Sequence, residues 1–331
     1  FDLYGFSESD REAVISGQWA VGSEDDASQA DDDSEDAVTG HPLPTTDHWP
    51  LTTNLLLSWA AGVAFGRFDW RLATGERESP PEPDPFDPLP AKSPGMLPDG
   101  AEPFLAHAGI LVDDPGHPHD LPRLIESVLE RVDVPVPPGV RKWLQRDFFK
   151  EHLQQYSKSR RKAPIYWPLA TASGSYTLWV YYPSLTSQTL YTAVNDFVEP
   201  KLKSVSQIAQ NLRANTGRSG AEERELEQLH DLELELTDLR DTQLAIAPDY
   251  KPNHDDGVQI TAAPLWPLFR HKPWQRVLKE TWQKLEKGDY DWAHLAYNYW
   301  PERGRDKCRT DKSLAIAHGK EELYEEPPEN A

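Results

Sequence analysis

Apolar residues recur at helical spacing over most of the chain. Three segments carry an apolar face along one side of a helix: LTTNLLLSWAAGVAFGRFDWRL (51–72), DLPRLIESVLERV (120–132) and VRKWLQRDFFKEHLQQYSK (140–158). A fourth, HKPWQRVLKETWQKLEKG (271–288), ends on a glycine, which is a common stop signal for a helix. Such amphipathic stretches indicate a fold built mainly from α-helices that each bury one face.

The pattern changes in APIYWPLATASGSYTLWVYY (163–182), where β-branched and aromatic residues flank the small polar turn TASGS. Two such runs joined by a turn are typical of a β-hairpin. GILV (109–112) and GVQI (257–260) are two further, very short strand candidates. We therefore predict an α+β fold that is mainly α-helical, with one β-hairpin near 163–182.

A long helical hairpin is predicted near 201–246. Helical spacing runs through 187–198, meets Pro200, which marks a break or a fresh start, and continues to the turn TGRSG (216–220). The following segment carries leucines at steps of three, four and three, as in the seam of a coiled coil: Leu229, Leu232, Leu236 and Leu239. Two helices joined by so short a turn favour an antiparallel, coiled-coil-like pair.

The stretch DYDWAHLAYNYWPERG (289–304) concentrates aromatic residues near the C-terminus. Its large residues fall at helical spacing, at Trp292, Leu295, Ala296 and Tyr299. Aromatic residues at that spacing are usually core, so the stretch is interpreted as a packing centre and not as an active site. The cations after it alternate with acids and are expected to form an ion-paired surface: Arg303, Arg305, Lys307, Arg309 and Lys312.

Composition divides the chain into three predicted regions. Residues 1–45 hold an N-terminal helix and the acidic segment SEDDASQADDDSED (23–36), which is expected to be a disordered loop. Residues 46–162 form a helical region whose Pro-rich linker, 76–100, is expected to lie outside the packed core. Residues 163–331 contain the β-hairpin, the helical hairpin and the aromatic-rich C-terminal region.

Charge and cysteine content narrow the function classes. The formal net charge is −21, and the chain remains acidic without the eight acids of 23–36, so a DNA contact would need a local basic patch. Cys308 is the only cysteine, which excludes an internal disulfide and a multi-cysteine zinc site. No apolar run is long enough to span a membrane, and a cytoplasmic location is expected. The chain starts at Phe1, so we expect a piece of a longer or processed protein.

Standard catalytic motifs are missing from the sequence. It contains no phosphate-binding loop, dinucleotide fingerprint, GxSxG elbow or HExxH pair. DDPGHPHD (113–120) brings carboxylates and histidines together, but its prolines and glycine favour a polar turn over a metal site. His294 and His318 are expected to be structural histidines. No catalytic, cofactor-binding or metal-binding residue is therefore assigned.

The cluster KSRRK (158–162) is the strongest polar feature of the chain. Four cations in an acidic protein can contact DNA phosphates, and neighbouring aromatic rings can stack on bases. The candidate DNA-binding residues are Lys158, Arg160, Arg161, Lys162, Tyr166 and Trp167. The alternative is a solvated helix end, where cations favour the negative end of the helix dipole.

Four segments together resemble one enzyme family. They are DLYGFSESDREAV (2–14), LLSWAAGVAFGRFDWRL (56–72), QYSKSRRKAPIYWPLATASGSYTLWVYYPSLTSQTLYTAVNDFVEPKL (155–202) and DYDWAHLAYNYWPERGRDKCRTDKSLAIAHG (289–319). They look like the C-terminal half of PglX-like adenine-specific DNA methyltransferases, which belong to bacterial phage-defence systems of the BREX and DISARM type and to related restriction-modification loci.

The resemblance implies a parent enzyme that uses S-adenosylmethionine to methylate adenine N6 in double-stranded DNA, with the target base flipped out. The family's Asn/Asp-Pro-Pro-Tyr/Phe motif and its Gly-rich cofactor loop are both absent here. The chain alone is therefore expected to be inactive and to hold no cofactor. The implied role is target recognition or a scaffold for the methyltransferase domain or other defence-system subunits.

A second hypothesis needs no DNA contact. An acidic helical protein with a long hairpin at 201–246 can be a non-enzymatic interaction module that docks a subunit of a defence complex. The net charge of −21 motivates this alternative.

Overall fold

The computed structural model describes residues 51–81, 84, 86, 88, 90, 92–158 and 161–326. The predicted N-terminal helix and the acidic loop 23–36 lie outside the described residues. The described part is mostly helical, with two small antiparallel sheets, which confirms the predicted α+β, mainly α-helical class.

The N-terminal helices of the described part begin where predicted, but two end earlier: the helix predicted over 51–72 stops at Ala64, and the one predicted over 140–158 stops at Gln155. They are α1 (Leu51–Ala64), α2 (Arg71–Thr74), α3 (Leu121–Arg131), α4 (Val140–Trp143) and α5 (Phe149–Gln155). A π-helical segment, Leu144–Phe148, joins α4 to α5 without a break. Pro122 lies in the first turn of α3, where its missing N–H has no helical partner to lose.

The C-terminal half contributes eight more helices: α6 (Thr189–Thr192), α7 (Glu199–Ala214), α8 (Gly220–Ile246), α9 (Val258–Ala262), α10 (Lys272–Lys287), α11 (His294–Tyr299), α12 (Pro301–Thr310) and α13 (Lys312–Ala317). α10 begins at the His271 cap, and Gly288 ends it in the left-handed conformation, as predicted. Short 3₁₀ segments lie at Tyr182–Ser184, His254–Asp256, Ala263–Leu268 and Glu321–Leu323.

The larger sheet is the structural centre. Strands β1 (Ile110–Asp113), β4 (Tyr166–Ala170) and β5 (Thr177–Tyr181) are ordered β1-β5-β4, and the pairing of β4 with β5 confirms the hairpin predicted at 163–182. Pro168 cannot donate a ladder hydrogen bond, which fits its place on the edge strand β4. All four residues of β1 are buried, as are the three central residues of β5, so helices cover both faces.

One core unites the predicted regions 46–162 and 163–331. β1 from the first region pairs with β5 from the second, with Leu111 opposite Trp179. The buried residues of α1, α3, α10 and the sheet belong to a single cluster. The chain from Trp49 to Ala331 accordingly clusters as one compact unit.

The helical hairpin at 201–246 is confirmed by α7 and α8, which pack against each other. Ser219 starts α8 with a capping box, in which its hydroxyl accepts from Glu222 N and the Glu222 carboxylate accepts from Ser219 N. Leu236 and Leu239 are fully buried, whereas Leu229 and Leu232, nearer the tip, are partly buried. The seam is therefore tightest where the hairpin joins the main core.

Of the two alternatives predicted for Pro200, a break or a fresh start, the structure shows a fresh start: helix α7 begins at Glu199 without an interruption of the helical chain. The chain stays helical from Thr189 to Ala214, with a π-helical segment at Ala193–Val198 just before the proline. Pro200 falls in the first turn of α7. The wider π turn lets the chain absorb a residue that lacks an N–H and crowds the preceding turn.

The strand predicted at 257–260 is wrong, because Val258–Ala262 form helix α9. Gly257, with φ of 79°, turns the chain, and the Thr261 hydroxyl donates to Gly257 O at 2.8 Å. An apolar run of four residues is too short to separate strand from helix by periodicity.

The aromatic stretch is core only in part. Leu295 and Ala296 are buried, as expected, but Trp292 is 46% exposed and precedes the helix. The Asp256 carboxylate accepts from His294 N and Leu295 N, both at 2.9 Å, and so sets the start of α11 after Trp292.

The Pro-rich linker is exposed in its middle and anchored at its end. Phe86 is fully exposed, as expected of a segment outside the core. Met96 forms a bridge with Phe68, and Leu97 N donates to Arg67 O at 2.9 Å. The end of the linker therefore holds the turn that follows α1.

Candidate nucleic-acid interface

Two short strands, one at each side of the cluster KSRRK, pair antiparallel directly after α5. Ser157 pairs with Lys162, and Lys158 pairs with Arg161, in strands β2 (Ser157–Lys158) and β3 (Arg161–Lys162). Ala163 N donates to Tyr156 O at 2.9 Å and closes the base of this hairpin. We call residues 157–162 the basic hairpin. It projects from the end of a helix as a separate element instead of extending that helix.

The lysines of the basic hairpin carry charge that the described part of the chain does not neutralise. Lys158 is exposed and Lys162 half-buried, and neither ammonium group pairs with a carboxylate among the described residues. Burial lowers the pKa of His271, and the positive charges of Lys162 and Lys150 lower it further. Lys150, outside the sequence cluster, and Lys162 therefore both lie near His271.

Tyr166 and Trp167 are not available for base stacking in this structure. Both side chains are buried in β4, with exposures of 1% and 0%. The Trp167 indole donates to Pro164 O at 2.7 Å, and the Tyr166 ring stacks on Phe65 at 4.7 Å between centroids. The stacking role expected of these two residues would require β4 to leave the core, so the candidate interface keeps only the cations.

A cavity of about 190 Å³ lies beside the basic hairpin. Tyr156, which closes the base of the hairpin, also lines this cavity, so the two features are neighbours. We call it the aromatic cavity, and its lining residues are Leu55, Ser58, Trp59, Arg67, Phe68, His152, Gln155, Tyr156 and Tyr166. Helix α1, the turn after it, the end of α5 and β4 each supply part of the wall.

Arg67 is the one charged residue of the cavity wall. Its guanidinium donates to the Tyr156 hydroxyl and lies over the rings of Phe68 and Tyr156, at 4.8 and 5.5 Å from their centroids. Its backbone is fixed on both sides, because Arg67 N donates to Gly62 O at 2.8 Å and Arg67 O accepts from Leu97 N. A hydrogen-bonded arginine stacked on aromatic rings is held in one orientation.

His152 is the second polar anchor of the wall. Its Nε2 accepts hydrogen bonds from Ile165 N and Tyr166 N, at 2.9 and 3.2 Å, so the ring proton is on Nδ1. Burial and the charge of Arg67 lower the pKa of His152 to about 3, which keeps the ring neutral. His152 thereby fastens the end of α5 to the first residues of β4.

The DDPGHPHD segment is a turn held by ion pairs. Asp113 and Asp120 both contact the Arg141 guanidinium, and Asp120 lies at 2.6 Å from Arg141 Nη2. Asp114 pairs with Lys201 of α7 at 2.6 Å. No group of three or more His, Cys, Asp or Glu residues suited to a metal ion occurs in the described part of the chain.

The C-terminal cations are ion-paired in part, and mainly with one buried acid. Asp291 contacts Arg303 at 2.8 Å and Lys307 at 3.1 Å, and Arg309 pairs with Asp306 at 3.1 Å. The sequence pattern pointed to the interleaved acids, but Asp291, on the turn before α11, supplies two of these contacts.

His294 and His318 lie together in the C-terminal region. His294 Nδ1 is 3.1 Å from Asp256, and the His318 ring is 4.2 Å from the ring of His294. Burial lowers the pKa of His318, and the neighbouring His294 lowers it further. The His318 ring packs on the Tyr297 ring at 4.1 Å between centroids, and Tyr297 in turn lies against the buried Cys308.

Sequence reasoning missed Arg67, His152 and Lys150. Arg67 is 89 residues from Tyr156 along the chain, and no local pattern links the two. His152 occupies the apolar face of a helix, where a histidine gives no signal of its own. Lys150 is one of several cations in the segment 140–158, and the sequence alone does not set it apart from the others.

No family model matches the chain, and no curated protein matches it either. The resemblance to methyltransferases therefore remains a prediction. None of the described helices is long and apolar enough to cross a membrane.

Proposed function

We propose that this chain is the non-catalytic C-terminal region of an adenine-N6 DNA methyltransferase of bacterial phage defence or restriction-modification, and that it contributes target recognition and a scaffold. The observation that carries the DNA contact is the basic hairpin. It presents lysines without carboxylate partners, next to Lys150, on a protein whose net charge is −21.

The residues present indicate which steps we assign to this chain and which to the rest of the parent enzyme. The sequence lacks the family's catalytic motif and its cofactor loop, so S-adenosylmethionine and the methyl transfer belong to another part of the parent enzyme. Lysine and arginine on a hairpin bind backbone phosphates, which positions a duplex without reading its sequence. The partners are double-stranded DNA and the methyltransferase domain or other defence subunits, in the cytoplasm.

Removing the charge of the basic hairpin tests the DNA contact. A variant with Lys158→Gln, Arg160→Gln, Arg161→Gln and Lys162→Gln is compared with wild type in fluorescence anisotropy with a duplex at low salt. We expect its Kd to rise at least about tenfold, because several phosphate contacts are lost.

A charge-matched control separates this effect from the general field of the protein. It replaces four exposed cations without ion pairs in the described part, Lys203, Arg276, Lys287 and Arg305, with Gln. We expect the control to bind DNA within about threefold of wild type, because these cations are not at the interface. An equal loss of DNA affinity in the two variants would show that the basic hairpin is not a specific DNA contact.

The outer face of α8 favours a second candidate function, docking of a protein subunit. Leu234 is 58% exposed there, among the exposed acids Glu227, Asp231 and Asp238 on the same face of the helix. An exposed leucine in a charged rim is typical of a binding surface, and the acids exclude DNA from this face.

A charge reversal tests this second function. The variant Glu227→Lys, Asp231→Lys, Asp238→Lys should lose the methyltransferase domain or defence subunit that copurifies with wild type, while DNA affinity is kept or increased. Retention of every partner by this variant would count against docking through α8.

A further inference from the structure

The polar atoms of the aromatic cavity are mostly donors, and several lack an acceptor. The Arg67 guanidinium has five N–H groups, and the side-chain acceptors described for it are the hydroxyls of Tyr156 and Tyr166. His152 Nδ1 carries a proton, as its Nε2 accepts two backbone N–H groups, yet Nδ1 has no hydrogen-bond partner in the described part of the chain. The buried Tyr166 hydroxyl faces Arg67, and no acceptor is described for its own proton. Buried polar groups without partners are rare in native proteins and require an explanation.

Among the described residues that line the cavity, the charge is positive and no carboxylate balances it. Its lining contains one arginine and no carboxylate, and His152 is neutral. A guanidinium taken partly out of water is stabilised by an anion more strongly than by a phenol. The missing component is therefore an acceptor with negative charge.

The size of the cavity limits what it can hold. About 190 Å³ is below the roughly 300–1,000 Å³ of sites that enclose a drug-sized molecule, so a whole cofactor such as S-adenosylmethionine does not fit. One functional group does fit, and the guanidinium fork matches the oxygens of a phosphate.

We propose that the aromatic cavity is a phosphate site for a nucleotide, either free or within a DNA strand that lies on the basic hairpin. Arg67 contacts the phosphate oxygens, while the neutral His152 Nδ1–H and the Tyr166 hydroxyl complete the donor set. The proposal does not rest on the proposed function, because binding of free phosphate needs neither DNA nor a methyltransferase domain.

Titration of the full chain at constant ionic strength tests this site. Inorganic phosphate, dAMP and deoxyadenosine are titrated in a calorimeter against wild type, Arg67→Met and Arg131→Met. Arg131 is a matched control, since it also lies over an aromatic ring, that of Trp70 at 4.4 Å, but outside the cavity. We expect saturable binding of phosphate or dAMP, no binding of deoxyadenosine, and a loss of at least about tenfold in Arg67→Met alone.

Comparing the binding of small anions with the binding of DNA identifies the source of the phosphate. Saturation by inorganic phosphate or dAMP identifies a free-nucleotide site. Binding of DNA that weakens in Arg67→Met, without binding of the small anions, identifies a backbone phosphate. If Arg67→Met does not fold, Arg67→Lys keeps the charge but loses the fork, and a smaller but measurable loss is then expected.

Two results would overturn the phosphate site. One is that neither small anion binds and DNA affinity is the same in Arg67→Met and Arg131→Met, so that the cavity holds only water. The other is that both variants lose affinity equally. With either result, DNA recognition by the basic hairpin is still supported if the hairpin variant binds DNA more weakly than wild type. Conversely, a protein that binds phosphate but not DNA would contradict the proposed function and support the phosphate site.

Discussion

His152 shows at the residue scale how one buried side chain joins the scaffold to the candidate interface. It is 1% exposed, accepts two backbone N–H groups from the start of β4, and packs against Tyr156 at 4.5 Å between ring centroids. Because Tyr156 closes the basic hairpin and binds Arg67, the position of this histidine fixes both features. Only the neutral ring can accept these two hydrogen bonds at Nε2, because both nitrogens of a protonated ring carry a hydrogen.

Protonation of His152 should destabilise the fold in acid. Its pKa is about 3 in the folded protein and 6.5 in the unfolded chain, so the unfolded chain binds the extra proton between these values. The stability that its neutral form provides is full above pH 6.5 and is lost as pH falls towards 3. We expect this residue to lower the free energy of unfolding by about 1.4 kcal/mol per pH unit between pH 6 and pH 4.

The measurement is urea unfolding of wild type and His152→Gln across that pH range. The glutamine oxygen can accept from Ile165 N but does not titrate. Other histidines contribute equally to both proteins, so the difference in slope isolates His152. Parallel slopes would show that the histidine is not buried in its neutral form.

At the residue scale the sequence singled out the cations of the basic hairpin, whose DNA contact stays a prediction, together with two aromatic residues that the structure buries. Lys158 and Lys162 were visible because charge clusters are local. Tyr166 and Trp167 were assigned to the interface by their nearness in sequence, but the strand that carries them is covered on both faces. Which side chains a strand buries depends on distant elements that pack on it, and no local pattern reports this for β4.

At the element scale, prediction succeeded where a pattern was long. The helices at 120–132, 140–158 and 271–288 and the hairpins at 163–182 and 201–246 were all readable, because ten or more residues of regular period outweigh local exceptions. The four-residue segment 257–260 was not readable. At Pro200 the sequence left a break and a fresh start both open, because the outcome depends on the π-helical turn before it.

The helical hairpin offers a paired test of packing at this scale. Leu236 is fully buried in the main core, whereas Leu234, two residues away on α8, is 58% exposed. Leu236→Ala should lower the free energy of unfolding by about 2–5 kcal/mol, because it leaves a cavity in the core. Leu234→Ala should change it by no more than about 0.5 kcal/mol.

Urea unfolding of both variants at neutral pH gives the comparison. Helix propensity is nearly the same for Leu and Ala, so the difference measures burial. Equal costs for the two substitutions would mean that α8 does not pack on the main core as described.

At the scale of the whole molecule, the net charge of −21 opposes DNA, so any binding must be local. The basic hairpin and Arg67 lie at the C-terminal end of α5, where both contact Tyr156, and Lys150 lies near its start. This arrangement, and not the overall charge, is what the account of DNA recognition depends on.

The salt dependence of DNA affinity tests that claim most directly. The logarithm of the association constant falls with the logarithm of salt concentration by about 0.9 per phosphate contact. Between 50 and 200 mM salt, we expect the association constant of wild type for a duplex to fall steeply with salt concentration. In the variant that lacks the four hairpin cations, we expect the slope of this logarithmic plot to be shallower by about 3, and in the charge-matched control we expect it to be unchanged. Absence of DNA binding by wild type, or the same slope in all three proteins, would contradict it.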